Sequence, residues 1–247
     1  ITVNAGPFSQ LLVLLPGETP APGSSTGKTG TPATQTAGVA FNATVNAVDG
    51  AWNPRSTNDT VHITTSDPNA VLPADAPLVN GTRSFSITLK TSGARTVTAA
   101  DISRAGIGTN TSSSVTVNPA TYAALQVLMP GETAAPGTTS GKTGTPTTRT
   151  AGTSFNLPAV SAVDSFWNVV LTNVTVHVTS TDTNGTLPAD AALVGGIKTD
   201  FAFTFKTVGT QTVTARDVSD ATKTNTSSLT TVVPGAFNKL QVLVPGE

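Results

Sequence analysis

Phe41-Asn42-Ala43-Thr44-Val45-Asn46-Ala47 alternates apolar and polar residues without a break. With a side-chain period of two, Phe41, Ala43, Val45 and Ala47 share one face and Asn42, Thr44 and Asn46 the other, the pattern of a strand buried on one side. The same rule holds further along. Val61 and Ile63 alternate with His62 and Thr64, Phe85, Ile87 and Leu89 with Ser86, Thr88 and Lys90, and Val97 and Ala99 with Thr96 and Thr98. Apolar runs at residues 11–15 and 115–117 bring the clear strands to six, and residues 78–79 suggest a weak seventh. Seven short strands in about 110 residues is a β-sandwich count, so the expected class is all-β.

The whole pattern is then written again. Leu12-Val13-Leu14-Leu15-Pro16-Gly17-Glu18 returns as Gln126-Val127-Leu128-Met129-Pro130-Gly131-Glu132, and once more as Gln241-Val242-Leu243-Val244-Pro245-Gly246-Glu247. Between them Gly27-Lys28-Thr29-Gly30-Thr31-Pro32 matches Gly141-Lys142-Thr143-Gly144-Thr145-Pro146. Val48-Asp49 with Trp52-Asn53 matches Val163-Asp164 with Trp167-Asn168, and Leu72-Pro73-Ala74-Asp75-Ala76 matches Leu187-Pro188-Ala189-Asp190-Ala191. A unit above about 100 residues can bury a core of its own, unlike a short solenoid repeat. The expected organisation is tandem antiparallel sandwiches of about seven strands: residues 1–10 ending a preceding repeat, repeats at 11–119 and 120–235, and 236–247 opening the first strand of a following one. The segment reads as part of a longer array.

Composition excludes several function classes. Charged residues make up 11% and the formal net charge is −1, which leaves no electrostatic footprint for nucleic acid. No apolar run approaches the roughly 20 residues that cross a bilayer as a helix, so direct membrane insertion of this segment is not expected. Cysteine is absent, which rules out disulfides and thiolate metal sites. About a fifth of the residues are Thr, a β-favouring composition that suits an extracellular module.

Two features disturb the alternation. Ala43-Thr44-Val45 becomes Leu157-Pro158-Ala159-Val160, one residue longer, and a Pro within an alternating run predicts an edge bulge. A second extra residue lies between Leu193 and Phe201, where Gly195, Gly196 and Asp200 predict a turn. Residues 16–38 show no alternation at all, and a loop of that length needs a reason inside a compact domain. Its Pro, Gly and Thr content predicts an extended excursion pinned by turns, with a short edge strand near residues 34–37.

The order Thr-Ala-Gly, a Phe-containing alternating strand, Val-Asp-x-x-Trp-Asn, Val-His-Ile-Thr, Leu-Pro-Ala-Asp and Thr96-Val97-Thr98-Ala99 resembles bacterial immunoglobulin-like repeats of the invasin and intimin type, which are also strung along large surface adhesins. The resemblance covers residues 36–117 and 150–232. It departs at Trp52-Asn53 and Trp167-Asn168, where such repeats usually carry Gly-Asn, and at the Pro-Gly-Glu loop, which looks like an insertion. It implies a non-enzymatic stalk, spacer or filament module at the bacterial cell surface, its partners being neighbouring repeats of the same chain and, in a filament, identical chains. An adhesin module recognising a glycan or host protein through inter-strand loops is the alternative.

Individual motifs divide between structural and functional readings. Gly-Lys-Thr at 27–29 and 141–143 fails as a phosphate loop, since Gly23 and Gly137 leave three intervening residues and Pro32 and Pro146 stand where a helix would begin. A turn with Lys28 toward solvent or toward Glu18 fits better. His62 and His177 fall on the outward strand phase with no triad spacing around them. Asp49, Asp75, Asp101 and Glu18 recur as Asp164, Asp190, Asp217 and Glu132 without a calcium-loop motif; they read as turn residues, no cofactor is expected, and calcium at a domain junction stays a minor option. Lys90 and Lys206 lie on the outward phase, against an isopeptide cross-link. Asn-x-Ser/Thr sequons at Asn42, Asn58, Asn80, Asn110, Asn173, Asn184 and Asn225 arise readily in so Thr-rich a chain. The candidate contact residues are Trp52, Trp167, Glu18, Lys28, Glu132 and Lys142, with each Trp either capping its own core or packing on the preceding domain, the long loop or another chain.

Overall fold

The computed structural model describes residues 2–244 and 246. Pro245 and Glu247, which belong to the third Pro-Gly-Glu, and Ile1 lie outside the described residues. The chain forms two compact units. One comprises the residues up to Thr121 together with Pro136–Gly141 and Asp164–Asn168; the other comprises Tyr122–Ala135, Lys142–Val163 and the residues from Val169 onward. Among the described residues every regular element is a strand.

In the first unit the strands are β1 (Gln10–Leu14), β2 (Glu18–Pro20), β3 (Lys28–Gly30), β4 (Gln35–Thr36), β5 (Ala40–Val48) and β6 (Thr60–Thr65). They continue as β7 (Ala76–Pro77), β8 (Thr82–Thr88), β9 (Gly93–Arg95), β10 (Val97–Asp101), β11 (Asn110–Thr111) and β12 (Val115–Asn118). Sheets ordered β1-β5-β8, β11-β10-β6-β7 and β4-β12-β9 enclose one core. Its members are the expected inward positions, among them Phe41, Ala43, Val45, Ala47, Val61, Ile63, Phe85, Ile87, Val97 and Val117. Period-two alternation chose these faces, and burial of the apolar set fixes the register because a one-residue slip would turn every side chain outward. The tandem immunoglobulin-like sandwich implied by the resemblance is present. The weak seventh strand falls at Ala76–Pro77 instead of 78–79, where Val79 makes only an isolated bridge to Thr82.

The long excursion has a structural task. β1 is apolar on both faces: Leu11 and Val13 enter the main core, while Leu12 and Leu14 form a second cluster with Val48 on the other side. Trp52 covers that cluster. Residues 16–38 fold into the β2–β3 hairpin and then the expected short strand β4, which runs parallel to β12.

The second unit repeats the scheme with β13 (Ala124–Leu128), β14 (Glu132–Ala134), β15 (Lys142–Gly144), β16 (Arg149–Thr150), β17 (Ser154–Asn156), β18 (Ala159–Val163) and β19 (Thr175–Ser180). After them come β20 (Ala191–Ala192), β21 (Ile197–Lys198), β22 (Ala202–Thr204), β23 (Gly209–Gln211), β24 (Val213–Asp217), β25 (Thr224–Thr226) and β26 (Thr230–Val233). Here the counterpart of β5 is split. β17 pairs with β22, and β18 lies between β13 and β21, so the extra Pro interrupts an inner strand where an edge bulge was expected. Of residues 236–247, expected to open a further repeat, the described ones lie exposed and form no strand.

Candidate functional site

Glu18 follows the turn after β1, and its side chain folds back instead of facing solvent. Its carboxylate accepts from the Leu15 amide at 2.9 Å and from the Ser113 hydroxyl at 2.7 Å, and pairs with Lys28 Nζ at 2.9 Å. The Lys28 ammonium also donates to the Val13 carbonyl at 3.2 Å. The side chain of Glu18 is 1% exposed. Burial works against its charge, but the Leu15 amide, the Ser113 hydroxyl and Lys28 outweigh it and hold the carboxyl below its ordinary 4.5. Glu132 is held down in the same way against burial, with Met129, Ser228 and Lys142 in the matching places. These four candidate contact residues pair as Lys28 with Glu18, one of the two readings of the sequence, and Lys142 with Glu132, and so fasten each long loop to its own sandwich. The reason is local: a buried carboxylate needs several donors, and the hairpin supplies the ammonium that completes the set.

The two tryptophans sit in the left-handed region, with φ of 68° at Trp52 and 66° at Trp167. A bulky residue there is strained, so the surroundings must hold it. In the first turn the Asp49 carboxylate does so. It accepts from the Ala51 and Asn53 amides at 2.8 and 2.9 Å, from the Gly6 amide at 2.7 Å, and from the Asn53 side-chain amide at 3.0 Å. The Asn53 amide leads the causes that take the Asp49 carboxyl down to about 2. The Trp52 ring rests on Gly27 of the long loop, whose hydrogen leaves room that a Cβ would fill. Trp52 thus caps its own sheet and its own loop.

The 164–168 turn, which belongs to the first unit, has the same internal bonds and something more. Asn168 is 1% exposed. Its amide nitrogen donates to the Lys90 carbonyl at 2.8 Å and its oxygen accepts from the Ser92 amide at 2.8 Å. Asp164 steadies it through a 2.9 Å bond from the same amide. Beside it, Phe166 packs against the first core and over Gly38. Trp167 Nε1 donates to the Thr139 carbonyl at 3.2 Å, and the Pro136 carbonyl accepts from Asn69 at 3.3 Å.

The receiving edge at residues 90–92 is itself organised by a residue that the sequence reading passed over. Asp67, 3% exposed, accepts from the Lys90 and Thr91 amides at 2.7 and 2.9 Å and from the Thr91 hydroxyl at 2.7 Å. Burial alone would push its carboxyl up; these donors and the Asn69 amide keep it below its ordinary 3.8. Asp182 cradles Lys206 and Thr207 identically. The signal was Ser66-Asp67-Pro68-Asn69 against Thr181-Asp182-Thr183-Asn184, an Asp two residues before an Asn in both copies.

The remaining candidates carry less chemistry. His62 and His177 face outward as expected and pair with Asp75 and Asp190 at 2.6 Å. Asn110 and Asn225, two of the sequons, accept from the Val13 and Val127 amides. Among the described residues no group of three His, Cys, Asp or Glu gathers in a way that could hold a metal, and no helix is long and apolar enough to cross a membrane.

No family model matches the chain, and no curated protein matches it in sequence. Among solved structures it is similar to the D0-D1 domain of intimin, at 16% identity over 80% of this chain and 93% of that one, with a TM-score of 0.31. It is also similar to the Escherichia coli adhesin FdeC, at 16% identity over 94% and 67% with a TM-score of 0.38. Domains 5-6 of the S-layer protein SbsC match at 21% identity over 81% and 92%, with a TM-score of 0.29.

Proposed function

We propose that this chain is a non-enzymatic structural segment of a bacterial cell-surface protein, a stalk or filament in which repeated sandwiches serve as spacers. The observation that carries the reading is the 164–168 turn. A motif written once per repeat, Asp-x-x-Trp-Asn, places its Asn amide on the peptide groups of residues 90–92 and its neighbouring Phe on Gly38. A contact built from a motif that recurs in each repeat suits a chain of repeated spacers. Buried charges support it, since Glu18, Glu132, Asp67 and Asp182 are each spent on holding their own fold. A catalytic acid would instead be aimed into a cleft. The extracellular setting rests on the Thr-rich, weakly charged composition and on the family resemblance of the sequence.

Single-molecule pulling on the full chain tests this reading together with glycan and host-protein binding screens. Two mechanical unfolding steps are expected, each releasing roughly 400 Å of contour length at about 3.6 Å per residue. Saturable binding to a glycan or a host protein that loop substitutions abolish, with unfolding forces no higher than those of a non-structural domain, would replace the spacer reading with the adhesin one.

A further inference from the structure

Both halves of the 164–168 contact occur a second time in this chain. The 49–53 turn repeats the inner bonding of the 164–168 turn bond for bond. Asp49 accepts from the Asn53 amides as Asp164 does from Asn168, the Gly6 amide reaches Asp49 as the Ala120 amide reaches Asp164, and Gly23 donates to the Ala51 carbonyl as Gly137 does to that of Phe166. Yet Asn53 is half-buried where Asn168 is buried, and Ala51 is exposed. Among the described residues the Asn53 side-chain oxygen meets no donor.

The receiving half is also duplicated. Asp182 presents residues 206–208 as Asp67 presents residues 90–92, and Asn184 reaches Thr207 as Asn69 reaches Thr91. Gly152, the counterpart of Gly38, has a φ of 83°, and a Cβ built there would meet nothing within 4 Å. At Gly38 the same position is filled by the Phe166 ring. Val208, in the place of Ser92, is 52% exposed.

We propose that the 49–53 turn is a docking face for the 206–208 edge of another copy of this repeat, the Asn53 amide bridging the Lys206 carbonyl and the Val208 amide while Ala51 settles on Gly152. The inference rests on the structural-repeat reading and names the contact through which copies join. The occupant is a second copy because the complementary groups are already seated on one another, with bonds of 2.8 Å, in the first unit. The match has one weak point. Ala51 brings a methyl group where Phe166 brings a ring, so this face buries less apolar surface than its counterpart.

Because the chain has no cysteine, single-thiol variants report the contact cleanly. Ala51→Cys and Thr153→Cys chains are mixed with a short bismaleimide, and Ala51→Cys with Thr64→Cys, an exposed strand position, serves as control. The 51–153 adduct is expected to form several-fold faster than the control, and Asn53→Ala in the Ala51→Cys chain is expected to remove the excess. Equal rates, or an excess that survives Asn53→Ala in a chain that still melts cooperatively, would overturn the proposal. Should Asn53→Ala fail to fold, sedimentation of Ala51→Phe decides. Restoring the ring is expected to strengthen self-association roughly tenfold, and a chain that stays monomeric across the concentration series refutes the docking face. Neither result depends on the pulling experiment, so the contact can fail while the spacer reading stands.

Discussion

β5 of the first unit is a nine-residue strand that pairs with β1 along one edge and β8 along the other, whereas its counterpart in the second unit is cut into β17 and β18. The strand opposite is cut too, into β21 and β22. Each strand gained one residue, and the two gains face each other: the Leu157 amide donates to the Phe201 carbonyl across the gap. Pro158 lacks the N–H that a ladder needs, so the interruption on that side is chemical as well as steric. A single insertion would have turned half of one strand inside out. Matched insertions let both halves keep their inward residues, and the fold survives.

The core adjusted around the break. Where the first unit has Phe85, Ile87 and Leu89, the second has Phe201, Phe203 and Phe205, all 1% exposed or less. Phe203 and Phe205 meet edge-on at 4.8 Å between centroids, and Phe155 lies 5.6 Å from Phe205. Rings thus stand where the first unit has Ile87 and Leu89, and the Arg149 guanidinium lies 4.5 Å from the Phe155 ring centroid. The comparison teaches that the inward pattern is held more tightly than the ladder.

The most damaging way to break that compensation is Phe203→Ala. Removing a buried ring should cost the second unit about 3–5 kcal/mol while leaving the first untouched. Denaturant titration read by tryptophan fluorescence, since Trp52 and Trp167 both lie in the first unit, beside far-ultraviolet circular dichroism, to which both units contribute, would separate the units, and a shared shift of both transitions would show that they do not melt apart.

Acid should instead affect both units. The carboxyls of Glu18 and Asp67 in the first and of Glu132, Asp182 and Asp217 in the second are all held below their ordinary values of 4.5 for Glu and 3.8 for Asp. A depressed folded pKa favours the folded state once the unfolded group is ionised. That stability is fully present above about pH 4.5 and disappears as the pH falls through the lowered values. Unfolding midpoints measured from pH 7 down to pH 2 should therefore be flat at first and then fall in both units; stability that holds or rises on acidification would contradict the carboxylate cradles.

The smallest effect is expected from Pro158→Ala. The residues facing it at 199–201 still form a gap, so restoring one N–H should alter stability by less than about 0.5 kcal/mol. The amide that the variant gains at position 158 should exchange fast. A protected amide there would mean that proline alone, not the paired insertion, splits the strand.

The chain displays its strands unevenly. Alternation at residues 41–47, 61–64 and 85–89 announced the inward faces, because each is decided by neighbours two positions apart. The hairpin β2–β3 was invisible, since short strands without apolar alternation leave only turn residues to read. Leu157-Pro158 gave away the insertion but not its place, because edge and inner strands look alike until the partners on both sides are known. The tryptophans stood out by rarity, while nothing in the sequence set Asp67 apart in that way. Its task depends on amides at Lys90 and Thr91, 23 and 24 residues away.

The sequence alone determined that there are two copies, that each is a sandwich, and which side chains point inward, for these follow from repetition and from a local period of two. Only the tertiary structure decided that Glu18 and Lys28 turn into the protein, that the long loop covers the outer face of β1, and that Asn168 finds the peptide groups of Lys90 and Ser92. Hydrogen-bonding complementarity of this kind joins groups far apart along the chain, and no spacing within a motif encodes it.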